Sequence, residues 1–416
     1  MREVRTLSRG DIDGYTDIAY SSYPSFKDLS PEGVAAYKAN LLDIIENDPD
    51  VTVFGLFDDG VIIAVMRVFL FRMNYFGRMI TASGLGYLGV HLLHKKKRAA
   101  QDLVDHYERF SVENGARIGL LLPFRPDYYK KSGYGFGSKW HQYRVPTECV
   151  PAFAGEGRLE YLGREDLPLL YDCHERIVKK THGMLMKILD EKKNYQNNER
   201  LKIVASFAPD GRVDGYLAFE FANGRAGNYT INHMLVREME FEDNRVLGLL
   251  LGFIRRQQDQ AQLVEFGTGE EFFHYLFDNP LDDSQNYAAF GNLQTNTQFI
   301  GVMYKVFEAE RFAAEQRHRF GPAPLRVRIE VVDRVGREAR VGEDFTLALH
   351  GESDPSTAPL VSIRLDRADF SSLMMGCVTP DGLHKMGRLA VDDPRFLADL
   401  DRAFYCAAKP ICNTDF

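Results

Sequence analysis

The chain has 416 residues, of which 45% are hydrophobic and 26% charged, with a formal net charge of −8. That length holds two or three domains, and the composition is globular and not disordered. The acidic balance argues against a general nucleic-acid binder, no apolar run nears the ~18 residues of a membrane span, and residues 1–15 carry no apolar signal-peptide core.

In chain order, residues 2–7 read as a strand. Residues 11–22 read as a helix with Ile12, Tyr15, Ile18 and Ala19 on one face. A second helix begins at Ser30-Pro31, an N-cap followed by a first-turn proline. Residues 51–57, 61–72 and 79–90 are expected strands, the first two joined by the hairpin turn Asp58-Asp59-Gly60. A helix over 97–114, capped by Gly115, precedes a wholly apolar strand at 117–122. Residues 140–145 read as the last strand of this first unit, which Pro146 closes.

The same order of elements repeats between about 159 and 295. Strands are expected at 159–162, 201–207, 213–221, 227–235 and 263–267, with helices at 166–180 and 244–259. After residue 299 the pattern changes to strands at 325–332, 345–349, 361–365 and 386–389, with helices at 366–375 and 393–404. The expected division is 1–148, 149–298 and 299–416. Cys149, Cys173, Cys377, Cys406 and Cys412 have no C-x-x-C spacing. Neither a disulfide framework nor a metal site is expected, and reduced thiols in a cytoplasmic protein are.

The chemistry concentrates between Gly84 and Phe136. There a strand, the turn Lys95-Lys96-Lys97-Arg98, an amphipathic helix and a second strand follow one another. A helix N-terminus offers free N–H groups and the positive end of a dipole, so a cationic turn at that point suits a phosphate. The tyrosine-rich end Tyr129-Lys130-Lys131-Ser132-Gly133-Tyr134-Gly135 follows.

These residues resemble the acetyl-CoA site of the GCN5-related N-acetyltransferases (GNATs). Lys95 fills the basic slot of the pyrophosphate loop R/Q-x-x-G-x-G/A and Ala100 its last small slot, while Arg98 stands where glycine is expected. The resemblance implies α+β architecture: tandem GNAT folds followed by a sterol-carrier-like α/β domain. With the terminal pair Asp415-Phe416, the whole chain resembles the enhanced-intracellular-survival (Eis) family. That family acetylates amines, including aminoglycosides, from acetyl-CoA and forms hexamers, so a homo-oligomer without a metal is implied.

Carried onto this sequence, the resemblance makes Tyr129 the general acid and the α-carboxylate of Phe416 the general base. Lys95, Lys96 and the N–H groups of Arg98, Ala99 and Ala100 become the pyrophosphate ligands. Leu88 and Val90 pair with the pantetheine arm, and Val90 N–H faces the developing oxyanion. Asp415 and Phe26 border the amine acceptor. In the second unit Met239-Glu240-Phe241-Glu242-Asp243 occupies the equivalent turn, where acid repels a pyrophosphate, so that unit is expected to be structural. His94, His174 and His182 show no partner in the sequence. The competing expectation is a lipid- or acyl-binding protein that uses its sterol-carrier-like domain and has lost turnover through Arg98.

Overall fold

In a computed structural model, residues 1–26, 28–151, 157–335, 338–349 and 358–416 are described. The strands of the first half are β1 (Arg2–Thr6), β2 (Val51–Asp58), β3 (Val61–Tyr75), β4 (Arg78–Val90), β5 (Ile118–Leu121), β6 (Gly135–Phe136), β7 (Lys139–Pro146), β8 (Arg158–Tyr161), β9 (Lys202–Phe207) and β10 (Val213–Asn223). There follow β11 (Asn232–Phe241), β12 (Leu263–Thr268), β13 (Tyr287–Ala288), β14 (Asn292–Leu293), β15 (Thr297–Ile300), β16 (Met303–Val306), β17 (Arg326–Val335), β18 (Glu338–Ala348), β19 (Leu360–Asp366) and β20 (Leu389–Val391). The helices are α1 (Ile12–Ser22), α2 (Pro31–Asn47), α3 (Ala99–Glu113), α4 (Pro126–Lys131), α5 (Leu167–Val178), α6 (Leu189–Asn197), α7 (Asn244–Arg255), α8 (Ala309–Glu315), α9 (Arg367–Met374), α10 (Pro380–Lys385) and α11 (Leu397–Ala403). The mixed α/β architecture agrees with the sequence reading. Its short helices α4, α6, α8 and α10 were not expected, because each is too brief to show a clear period.

Local chemistry explains the anchors of the first sheet. Asp59 and Gly60 both take positive φ, +48° and +82°, as a two-residue hairpin turn between twisted strands requires. The Ser30 hydroxyl accepts from Gly33 N at 3.0 Å and Pro31 opens α2.

Two seven-stranded sheets have the orders β1-β2-β3-β4-β5-β16-β6 and β15-β7-β12-β11-β10-β9-β8. Each runs antiparallel through four strands and then makes one parallel pairing, β4 with β5 and β11 with β12. The sixth place in each sheet is exchanged. β16 enters the first sheet between β5 and β6, and β7 enters the second between β12 and β15. The strand expected at 140–145 therefore forms, but in the second sheet and not as the last strand of the first. A strand's sequence sets its alternation of faces and not its partner. The strand expected at 227–235 also lies later, at β11, and the one expected at 386–389 is β20.

The third sheet has the order β18-β17-β19-β20. Its apolar face shares one continuous core with α1, α2 and one face of the first sheet, joining Tyr15, Phe69 and Phe71 to Ile329 and Phe370. The other face of the first sheet packs on α3, with Leu103, Val104 and Tyr107 buried. Buried hydrogen bonds add to these third-unit contacts. Tyr75 OH donates to Met374 O at 2.7 Å, and the buried Arg319 donates to the carbonyls of Leu373, Met374, Phe404 and Tyr405.

Candidate active site

β4 and β5 pair only from Ala82 to Gly84 against Ile118 to Leu120 and then diverge. The divergence opens a cleft of about 1400 Å³ that reaches Leu88, Val90, Lys95, Arg98 and Tyr129. His91 N bonds back to Ile63 O on the β3 side at 2.9 Å. Because successive N–H groups along a strand point to opposite edges, Val90 N–H faces the side that β5 has left. The Leu88 carbonyl accepts the hydroxyl of Tyr23 at 2.9 Å. Tyr23, half-buried on the cleft wall, was not identified from sequence. Burial and the neighbouring tyrosines push its phenol well above the ordinary value.

The cationic turn ends on Arg98, which has φ +65° and ψ +1° and is the N-cap of α3. The slot that a glycine was expected to fill is thus a left-handed position, occupied here by arginine at a cost of about 1 kcal/mol. Lys96 is left-handed too, at φ +63°. No side chain caps α3, and its first internal bond runs from Asp102 N to Arg98 O at 2.9 Å. The N–H groups of Ala99 and Ala100 are left available at the cleft. Lys95, Lys96 and Arg98 are exposed and make no ion pair among the described residues. Arg2 braces the turn from outside through Lys97 O and Asp102 Oδ2, both at 2.8 Å. Unpaired cations, left-handed turn residues and an uncapped helix start together fit an anion such as a pyrophosphate.

Tyr129 sits on α4 with 9% of its surface exposed, its ring edge-on to Tyr128 and Tyr134 at 5.2 and 6.0 Å. Burial, with a smaller contribution from Tyr128, pushes its phenol up to about 12. The third unit clamps this turn: Lys130 pairs with Asp369 at 3.2 Å, and Ser372 Oγ donates to Phe136 O at 2.8 Å. Lys305, Asp333, Asp366 and Arg367 wall the same cleft, a contribution that local sequence could not reveal.

The last residues cross the second unit before reaching the first sheet. Ile411 N donates to His182 O at 2.9 Å, Ser138 Oγ donates to Pro410 O at 2.6 Å, and Lys409 pairs with Glu271 at 2.6 Å. His182 has partners after all. Phe76 N donates to its Nδ1 at 3.3 Å and its Nε2 donates to Met375 O at 3.1 Å, while burial lowers its pKa to about 4. The Phe416 ring then lies edge-on to Phe69 and Phe71, at 5.8 and 5.2 Å. Two glycines of β4 make the room. A Cβ on Gly84 would lie 2.9 Å from the Phe416 ring, and one on Gly86 3.2 Å from the Phe416 carboxyl carbon.

Around this end lies a group brought from five elements. Arg67 of β3 is 2% exposed, donates from Nε to Tyr15 OH at 3.1 Å, and places its guanidinium 4.2 Å from the Tyr87 ring. Tyr87 is in the β4 bulge, at φ +50°. Asp190 at the start of α6 is raised by desolvation, which the charge of Arg67 opposes. Asp415 stays open to solvent, yet desolvation by its surroundings raises its carboxyl, with Arg237 opposing. The Phe26 side chain lies outside the described residues. Of this group only Asp415 and Phe416 are site residues in the sequence reading, where Tyr15 is part of the apolar face of α1. A charged residue inside the apolar run VIIAVMRVFLF was the available signal for Arg67.

The second unit is built differently at the same places. The Asp243 side chain accepts from Val246 N at 2.9 Å and so caps α7 itself. Behind it, His174 Nδ1 meets Glu240 at 2.9 Å and its Nε2 donates to Leu185 O at 2.9 Å. Lys187 pairs with Glu238 at 2.8 Å, and Glu238 also accepts from Tyr195 and from Tyr216 at 2.8 Å. Burial alone would lower His174, but the hydrogen bond and charge of Glu240 win and raise it. His174, Glu238 and Glu240 converge within 4.8 Å, close enough to ligate a metal. The Lys187 ammonium already supplies the cation there, so these residues do not fit one.

Residues 3–137 match the family described as acetyltransferase (GNAT) domain, and residues 307–413 match the sterol carrier protein domain. No curated protein matches the sequence. Among solved structures, a conserved protein of unknown function from Enterococcus faecalis, described as a probable N-acyltransferase, aligns over 100% of both chains at 14% identity and TM-score 0.77. A GCN5-related N-acetyltransferase from Anabaena variabilis aligns over 100% of both at 16% identity and TM-score 0.75. Eis1 from Mycobacterium abscessus also aligns over 100% of both, at 15% identity and TM-score 0.72. At those identities the likeness carries the fold, and the domain matches carry the chemistry. The chain thus combines a GNAT acetyltransferase domain with a sterol carrier protein domain and is an acyltransferase.

Proposed function

We propose that the chain is an acetyl-CoA-dependent N-acetyltransferase that acts on a primary amine by direct transfer. The observation that carries this reading is the packing of Phe416 over Gly84 and Gly86 of the strand whose far end, Val90, borders the candidate cofactor cleft. An alkylamine must lose a proton to attack, and the Phe416 carboxylate takes it directly or through water. Val90 N–H faces the oxygen on which negative charge develops. Tyr129 holds a proton at its phenolic oxygen for the departing sulfur. Burial keeps that proton in place at neutral pH, so the phenol donates as charge builds on sulfur and recovers its proton from solvent. Lys95, Lys96 and the N–H groups of Arg98, Ala99 and Ala100 hold the pyrophosphate, and Leu88 and Val90 line the pantetheine arm.

In this reading residues 1–148 carry catalysis, 149–298 are structural, and 299–416 supply the terminal carboxylate, with β7 and β16 exchanged across those limits. Asp415 and Asp190 favour a cationic amine, and Phe26 is placed on the acceptor side by resemblance alone. The Eis assignment, an aminoglycoside-like acceptor, a hexamer and a cytoplasmic location belong to the same proposal. Among the described residues, no helix is long and apolar enough to cross a membrane. The sterol carrier match at 307–413 is the observation behind the lipid-carrier alternative, but the third-unit recess at Phe320 and Leu347–Leu349 holds about 10 Å³, too little for an acyl chain.

The test adds three residues after Phe416. Acetyl-CoA should still bind once per chain by calorimetry, while turnover on an amine panel falls about 100-fold. Full turnover would remove the carboxylate from the reaction, and absent cofactor binding to the unextended chain would remove the whole reading.

A further inference from the structure

Arg67 is a buried cation. It interrupts the apolar middle of β3, its Nε is spent on Tyr15, and its Nη2 has no hydrogen-bond partner. No carboxylate side chain among the described residues forms an ion pair with it, although it influences Asp190 from further off. A fully desolvated charge left unpaired is strongly unfavourable, so a fold that keeps one has an anion in reach.

The register supplies that anion. Arg67 pairs across the ladder with Gly86, and facing Cβ positions on neighbouring strands are about 5 Å apart. A Cβ on Gly86 would lie 3.2 Å from the carboxyl carbon of Phe416 and 3.3 Å from its oxygen. The carboxyl group therefore lies on the face from which Arg67 projects, within the length of an arginine side chain. Its ring is fixed by Phe69 and Phe71, so the carboxyl end has little freedom. Neither a hydrogen bond nor a direct ion pair joins Arg67 to the Phe416 carboxyl group, and the pairing runs through space or a bridging water.

We propose that Arg67 is the counter-ion of the C-terminal carboxylate and a positioning residue for it, holding the group ionised and aimed at the acceptor. This rests on the reading of that carboxylate as the base. The other titratable groups around the pair are Tyr15 on α1, Tyr37 on α2, Tyr87 on β4, Asp190 on α6 and Asp415 beside Phe416 itself. None of these is a cation, and the charge of Arg237 also reaches Asp415.

The test labels the protein with [1-¹³C]phenylalanine. Among 29 labelled residues, only Phe416 carries its label in a carboxylate, and its shift follows ionisation directly. In Arg67→Gln the titration midpoint should rise by about one pH unit or more, because a nearby opposite charge in a desolvated site has been removed. Arg67→Lys should return it most of the way. An unmoved midpoint in Arg67→Gln overturns the proposal. If that variant does not fold, the chain extended by one glycine after Phe416 is used instead. The Arg67 Nε–H resonance should shift there, and an unchanged resonance equally overturns the pairing. Turnover separates this from the base reading. If the acid limb of kcat/KM moves up with the midpoint, both stand. If the midpoint moves and the limb does not, the pairing stands and the carboxylate is not the base.

Discussion

The first and second sheets share a scaffold and differ in what occupies it. Both run antiparallel through four strands and make one parallel pairing, and both bulge in the fourth strand, opposite Val65–Arg67 and opposite Ala218–Phe219. After that strand the first unit places Lys95, Lys96 and Arg98 before an uncapped helix, whereas the second caps its helix with Asp243. On the sheet face below, the first unit has glycines that admit the chain end, and the second has Glu238 and Glu240 tied to Lys187 and His174. Strand pairing and bulge therefore specify a fold, and a handful of side chains at one helix start decide whether an anion is welcome there.

The sharpest way to break the comparison is at Tyr129 of the first unit. Tyr129→Phe should lower kcat about 1000-fold while acetyl-CoA affinity, read by calorimetry, stays near wild type. With the phenol raised to about 12, wild-type turnover should show no alkaline limb from Tyr129 until well above pH 10. A limb near pH 8 that disappears in Tyr129→Phe would contradict that protonation state.

Next comes the second unit's buried network. Lys187→Met strands Glu238 as an unpaired buried carboxylate, so thermal or denaturant unfolding should report a loss of about 3–5 kcal/mol. Cofactor affinity should survive in the folded fraction. A specific fall in affinity at equal foldedness would give the second unit a part in the cofactor site.

The smallest effects compare the two helix starts directly. Replacing Lys95 and Lys96 together by Ala should weaken acetyl-CoA about tenfold, more at low salt than at high, with little change in stability. Asp243→Ala should cost about 1 kcal/mol of stability through the lost cap and leave affinity unchanged. Similar affinity losses from both changes would mean that both units bind the cofactor.

Much of this was legible in the residues. The hairpin at Asp58-Asp59-Gly60, the amphipathic α3 and the cationic turn are local patterns, set by neighbours in sequence. Arg98 was legible as an exception, and the left-handed backbone at that position supplies its reason. The surroundings of Phe416 were not legible, because Tyr15, Arg67, Tyr87 and Asp190 lie on four elements and meet only through tertiary packing. The exchange of β7 and β16 was equally hidden. A four-residue apolar strand such as β16 fits either sheet by pattern, and only the pairing in space decides between them.

That exchange bears on synthesis. A ribosome releases β5 and β6 long before β16, which follows the entire second sheet in the chain. Until residues 303–306 emerge, the nascent first sheet has a gap between its fifth and last strands, with unpaired backbone at both edges. Such edges invite pairing with other chains. The acetyltransferase half is thus among the first parts translated and among the last completed. A shortened chain ending before Met303 should be recovered as aggregate, whatever the quality of its own core.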